Sequence, residues 1–329
     1  MTSTNGIALQ RVAALIFAVT VSVVVAPSVT AQNYPAKPIR FIIPFPPGGT
    51  SDILARLIGP RLSERWGQQV VVDNRPGASG ALGAEVVARA APDGYTLMLT
   101  DVGSLMISQI LSSKPVVDLT RDYAPVTLVS YSPHLFCVHP SVPVANTAEL
   151  IALAKRRPGA LNFASSPAGA PYLAGLMFAH RTGVKWEYIT GKGGVQSVLD
   201  VMSGQADVMF NGMLATLPHV KSGKLKLIAV TSEKRVASLS GTPTVAEHVP
   251  GFVTGSWQGI LAPAGTSQEI VARLNSEITR ILNTADVREK LTVQGADPLG
   301  SPAAEAARFL RDERDRWSKL IKETGYKIE

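Results

Sequence analysis

The sequence is short of cysteine, aromatic residues and charge, and each shortage narrows what it can be. Cys137 is the only cysteine in 329 residues, so no intrachain disulfide can form and stability has to come from an ordinary core. Aromatic residues make up 6%, little for a sugar or nucleic-acid site built on stacking rings. Charged residues reach 17% against 46% hydrophobic, a balance that fills a buried core and gives no reason for disorder. Beyond the N-terminus no apolar run approaches the roughly 20 residues that a membrane span requires, so membrane insertion of the mature chain is not expected.

Catalytic and metal-binding sets are missing as well. Gly77-Ala78-Ser79-Gly80 lacks the spacing of the Gly-x-Ser-x-Gly nucleophile elbow. Gly191-Lys192-Gly193-Gly194 has no Ser or Thr after its lysine, so it is not a Walker A phosphate loop. His134 and His139 stand five apart, a poor spacing for a shared metal, and His180, His219 and His248 are scattered. No Cys/His/carboxylate cluster has metal-ligand spacing. The expectation is a protein with no catalytic residues, no metal and no cofactor.

What is present points to export and to an anion. Arg11 precedes an apolar stretch from Val12 to Ala26, followed by Pro27 and Ser28 and then Val29-Thr30-Ala31. Small residues at the first and third places before Gln32 fit a signal-peptidase site, which predicts cleavage after Ala31 and a periplasmic mature chain. No cysteine stands near Ala31, so a lipid anchor is not expected. The net charge is +7, which assists the approach of an anionic ligand. The basic residues are dispersed, and the one run of three, Lys155-Arg156-Arg157, closes an apparent helix, where cations are favoured anyway. Nucleic acid is therefore not an expected partner.

Along the mature chain, apolar runs of strand length alternate with amphipathic stretches of helix length. Strands are predicted over Ile39–Phe45, Gln69–Asp73 and Tyr95–Thr100, with helices over Ile53–Arg65 and Ala81–Ala90. After two extended segments, Val126–Ser130 and Leu135–His139, the alternation restarts and runs to an extended Gly255–Ala262. Helices over Glu269–Leu282 and Ala303–Ile321 close the chain. Buried strands separated by helices imply mostly parallel sheets covered on both faces. Two such halves of similar size predict an α/β protein of two lobes. Gly59-Pro60 falls inside the first helix, where an interior proline costs roughly 3 kcal/mol, so a kink or two shorter pieces is expected.

Three strand-to-helix junctions share one design: Phe45-Pro46-Pro47-Gly48-Gly49-Thr50-Ser51-Asp52, Ser165-Ser166-Pro167-Ala168-Gly169-Ala170-Pro171, and Thr190-Gly191-Lys192-Gly193-Gly194. A helix start leaves backbone N–H groups unpaired and partly positive, and glycines allow a ligand close to them. Each junction alone reads as a plain connection. Three of them over two lobes predict a cleft for a carboxylate or phosphate at the C-terminal ends of the strands. The candidate ligand-binding residues are Phe45, Pro47, Gly48, Gly49, Thr50, Asp52, Ser165, Ser166, Gly169, Lys192, Gly193, Gly194 and Asn211. Asp52 repels an anion, so its expected role is to cap the first helical turn and tie the loop. Lys192 either neutralises a carboxylate or lies exposed.

Several of these segments together resemble the Bug/TctC family, the extracytoplasmic receptors of tripartite tricarboxylate transport systems. The resemblance rests on Tyr34-Pro35-Ala36-Lys37-Pro38-Ile39-Arg40, on Pro44-Phe45-Pro46-Pro47-Gly48-Gly49-Thr50-Ser51-Asp52 and on Val72-Asp73-Asn74-Arg75-Pro76-Gly77-Ala78-Ser79-Gly80. It continues through Ala91-Pro92-Asp93-Gly94-Tyr95, Gly204-Gln205-Ala206-Asp207 and Leu261-Ala262-Pro263-Ala264-Gly265-Thr266. It implies a two-lobe periplasmic-binding fold of the type II kind with two crossover segments, near Leu128–Val138 and Gly251–Leu261. The first lobe would then occupy residues 32–134 and return over 255–329, with the second lobe at 135–254. The resemblance also implies a monomer that binds a small organic carboxylate and hands it to membrane permease subunits. A sensor-kinase receptor of the same fold and a periplasmic hydrolase are the alternatives. Where many family members carry Tyr-Lys-Gly, Gly-Asn-Gly-Ser/Thr and Asp-Asn, this chain has Gly191-Lys192-Gly193, Pro167-Ala168-Gly169-Ala170 and Asn211-Gly212. Those departures fall where the far end of a ligand would be read.

Overall fold

Strand β1 (Ile39–Ile43) sits at the heart of the first sheet because Ile39, Phe41, Ile42 and Ile43 are all fully buried. It pairs in parallel with β2 (Val70–Asn74) on one side and β3 (Thr96–Asp101) on the other. Helices α1 (Thr50–Trp66) and α2 (Ala81–Ala88) make the connections. The computed structural model describes residues 34–325; the expected signal segment and its cleavage site lie outside them.

Helix α3 (Val102–Leu111) follows β3 directly, capped by Asp101, whose side chain accepts the Ser104 N–H. The sequence reading missed this helix. Its first seven residues are all buried, so it lacks the polar stripe that marks a surface helix.

The chain then enters β4 (Tyr123–Val138), a single strand of 16 residues where the sequence predicted two extended segments. Ser130, Ser132 and His134 interrupt its apolar pattern yet are buried, which is why it reads as broken. Up to Pro133 it pairs antiparallel with β9 (Gly255–Pro263), and from His134 onward with β7 (Val208–Gly212) and β8 (Lys226–Val230). The strand therefore belongs to both sheets.

The second lobe repeats the α/β alternation. Helix α4 (Thr147–Arg156) leads to β5 (Asn162–Ser165), α5 (Ala170–Thr182), β6 (Glu187–Thr190) and α6 (Gly194–Met202), with α7 (Met213–Lys221) after β7. Strands β6, β5 and β7 run parallel. Among the described residues, every antiparallel pairing involves β4 or β9, the two strands that carry the chain between lobes. The few aromatic residues concentrate here: Phe136 stacks on Phe210 at 4.2 Å and meets Phe178 edge-on at 5.0 Å, a favourable arrangement for ring pairs.

After β9 the chain completes the first lobe with α8 (Gln268–Leu282), α9 (Ala285–Val293), the short β10 (Asp297–Pro298) paired to β4, and α10 (Ala303–Thr324). Helix α10 buries Ala306, Leu310 and Trp317, and the Trp317 indole donates to Glu313 at 2.8 Å. No described helix is long and apolar enough to cross a membrane.

The expected break at Gly59-Pro60 is absent, and α1 runs unbroken through it. Pro60 is exposed, as is Arg56 four residues earlier, so the carbonyl that the proline cannot serve faces solvent rather than the core. One turn away, the Arg61 guanidinium donates to the Leu57 carbonyl at 2.7 Å. Gly59 lets the helix lie close to β2, since a Cβ there would meet Val70 at 3.3 Å.

Candidate functional site

The first junction ends β1 and opens α1. Asp52, buried in the first turn, accepts the Gly48 N–H at 2.9 Å and pairs with Arg56 at 3.0 Å. Burial works against its charge, yet the bonds from Arg56 and Gly48 hold its carboxyl below the usual value. Asp52 thus fixes the loop, and with Pro47 and Gly48 it stays out of the cavity lining. Behind this brace the amides of Thr50 and Ser51 have no partner among the described residues.

The third junction opens α6 in the same way. Gln196 and Ser197 turn their amides back to the Gly193 carbonyl, which leaves those of Gly194 and Val195 without a partner among the described residues. Gly193 has φ 147°, and a Cβ there would stand 3.0 Å from the Pro46 ring. A Cβ on Gly212, at the start of α7, would lie 2.9 Å from Thr50 Oγ1. The second-lobe loops therefore approach the first-lobe loop closely, and the positive φ at Gly193 favours glycine there.

Between these helix starts lies a narrow chamber of about 80 Å³. Of the candidate residues, Phe45, Gly49, Thr50, Ser166, Gly194 and Asn211 line it. A wider chamber of about 760 Å³ adjoins it, sharing Phe45, Pro46, Ser104, Ser166 and Val195, and takes in Gly169, Lys192 and Gly193. Lys192 is exposed at its edge. Ser165 lies outside both; it is buried at the end of β5, with its hydroxyl bonded to the Ser166 carbonyl.

Sequence reasoning missed the polar floor of the narrow chamber. Ser51, Asp101, Ser104, His134, Ser256 and Gln258 all line it. The Ser51 hydroxyl donates to Gln258 Oε1 at 2.7 Å. Gln258 Nε2 in turn donates to Ser256 Oγ at 2.8 Å and to Asp101 Oδ2 at 3.3 Å. Ser256 donates to the same carboxyl oxygen, and the Ser104 N–H to the other at 2.8 Å. Burial pushes the Asp101 carboxyl up from its ordinary value, while the bonds from Ser256 and Ser104 pull the other way. His134 sits 3.0 Å from Thr254 Oγ1, and burial holds its imidazole down at about 3, so it is neutral near pH 7.

A signal for this floor existed. Ser256 and Gln258 are i, i+2 polar residues in an otherwise apolar strand and so share a face. Thr100-Asp101-Val102-Gly103-Ser104 is a fourth strand-to-helix junction, hidden because α3 itself was not recognised. The described residues contain no cluster of His, Cys, Asp or Glu suited to a metal ion.

A family model described as the tripartite tricarboxylate transporter family receptor, TctC, matches residues 54–326. The chain belongs to this family. Protein BugT of Bordetella pertussis is 36% identical over 308 residues, covering 92% of this chain and 94% of that one. Among solved structures, Rpa4515 of R. palustris with adipate shares 35% identity at a TM-score of 0.86, covering 89% of this chain and 99% of that one. MatC from Rhodopseudomonas palustris with bound malate shares 29% identity at a TM-score of 0.83, over 88% of this chain and all of that one. This TctC-family chain therefore shares its fold with solved structures described as a periplasmic transporter and as the periplasmic binding protein BugD.

Proposed function

We propose that this receptor captures a small carboxylate-bearing metabolite in the narrow chamber and delivers it to the membrane permease of a tripartite tricarboxylate-type transporter. The observation that carries the reading is the convergence of unpaired amides, Thr50 and Ser51 from one lobe and Gly194 and Val195 from the other, on one small polar space. Charge-assisted hydrogen bonds contribute about 1.5–3 kcal/mol each, and micromolar affinity takes about 8 kcal/mol, so both lobes have to contribute. Burial favours the neutral form of Asp101, which eases its repulsion of an anion, although the bonds from Ser256 and Ser104 work the other way. The adipate and malate held by the two structural neighbours support the same ligand class.

On this reading the protein works in the periplasm as a monomer after removal of residues 1–31, without catalysis. Residues 32–134 and 255–329 form the first lobe and 135–254 the second, which hinge about β4 and the entry to β9. A ligand that binds only the folded state raises the melting temperature by linkage. Melting curves with mono-, di- and tricarboxylates, each at millimolar concentration, test the reading; a panel that shifts nothing overturns it.

A further inference from the structure

The two chambers differ in size and in chemistry, and the difference says what the rest of the ligand is. The narrow chamber holds the convergent amides and hydroxyls and is much the smaller of the two, about 80 Å³. The wide one, about 760 Å³, lies within the range of sites that enclose whole organic molecules. Its walls include Pro44, Pro46, Pro76, Ala78, Pro167 and Val195. Their side chains offer a ligand no hydrogen bond.

The polar side chains of the wide chamber are mostly committed elsewhere. Ser79 Oγ donates to the Pro167 carbonyl at 2.7 Å, and Gln196 Nε2 donates to Asp200 at 2.7 Å. Lys192 is the one cationic side chain in the lining, and it is exposed. A charge pair made in water contributes little, so the Lys192 side chain alone gives a second carboxylate little in exchange for its hydration. Phe45 lines both chambers, so an aromatic residue borders the passage between them.

We propose that the ligand is a monocarboxylate with a bulky, uncharged, ring-like tail, its head in the narrow chamber and its tail against the proline-rich walls of the wide one. This rests on the carboxylate reading above. Calorimetric titration with benzoate, cyclohexanecarboxylate, acetate, adipate, malate and benzyl alcohol tests it. The ring acids are expected to bind at least about tenfold more tightly than acetate, adipate or malate, and benzyl alcohol not to bind. Adipate or malate binding most tightly, or acetate matching the ring acids, overturns the tail assignment and leaves the carboxylate reading standing. Benzyl alcohol matching benzoate, or no acid binding at all, overturns both. A Gln196→Trp variant places a large side chain into the wide chamber from an exposed position. In folded variant protein the preference for benzoate over acetate should collapse, and an unchanged preference overturns the proposal.

Discussion

The Ser79 hydroxyl of the first lobe donates a 2.7 Å hydrogen bond to the Pro167 carbonyl of the second. Both partners stand beside strained backbone: Ser79 has φ 52°, its neighbour Ala78 has φ 46°, and Ala168 has φ 59°. Side chains other than glycine adopt this region at a cost, and the bond helps to hold these two loops together. Ser79→Ala removes the bond while keeping the backbone. A neutral hydrogen bond contributes about 0.5–1.5 kcal/mol net, so ligand affinity should fall between about twofold and tenfold, chiefly through faster dissociation. Stopped-flow release from wild type and variant measures this, and equal off-rates contradict it.

On the proposed two-lobe clamp, glycine at 193 serves the approach of the two loops rather than folding. Gly193→Ala points a methyl group at the Pro46 ring from a backbone angle that L-residues avoid. Ligand affinity should drop at least about tenfold. Gly183→Ala is the matching control, with φ 71° and open space around it. It should lower stability by about 1 kcal/mol and leave affinity untouched. Calorimetry and urea unfolding on both variants separate the two effects.

Asp52 holds the first loop through its charge. Its carboxyl titrates below the usual value in the folded protein, so its contribution is present above the unfolded value of 3.8 and is lost as pH falls through the folded one. Asp52→Ala should cost about 1–3 kcal/mol at pH 7. The gap between wild type and variant should narrow below pH 4. Urea midpoints measured across that range test the sign.

His134 works in the same sense but at higher pH. Its imidazole is buried neutral with a value of about 3 against 6.5 when exposed, so the unfolded chain binds the extra proton between those limits. Stability should therefore fall as pH drops from 6.5, by at most about 1.4 kcal/mol per pH unit from this group. His134→Gln removes the proton uptake and should flatten that part of the profile. Parallel slopes for wild type and variant between pH 6.5 and 4.5 contradict the assignment.

Much of the scaffold was readable in the sequence, because buried parallel strands are apolar throughout and surface helices carry a polar stripe. Helix α8, predicted over Glu269–Leu282, is observed over Gln268–Leu282. The failures share a cause. Helix α3 is buried on nearly all sides and gives no period, and β4 carries buried serines and a histidine that look like a break. The first and third junctions were visible because glycine clusters at helix starts have a local signature. The Ser51–Gln258 and Ser256–Asp101 contacts join residues more than 150 positions apart, and no local pattern predicts such pairings. Pro60 was misjudged because the cost of a helical proline depends on whether the orphaned carbonyl meets water, which sequence alone does not say.

Strand β9 lies between β3 and β4 in the sheet but follows them by more than a hundred residues. A chain that emerges N-terminus first, from a ribosome or a translocation channel, therefore has β3 waiting beside an empty lane until residue 263 arrives. Contacts of such long sequence separation slow folding, and an unpaired strand edge invites association with other chains. The first lobe is begun first and finished last, so C-terminal truncations should yield an aggregating fragment rather than a smaller receptor.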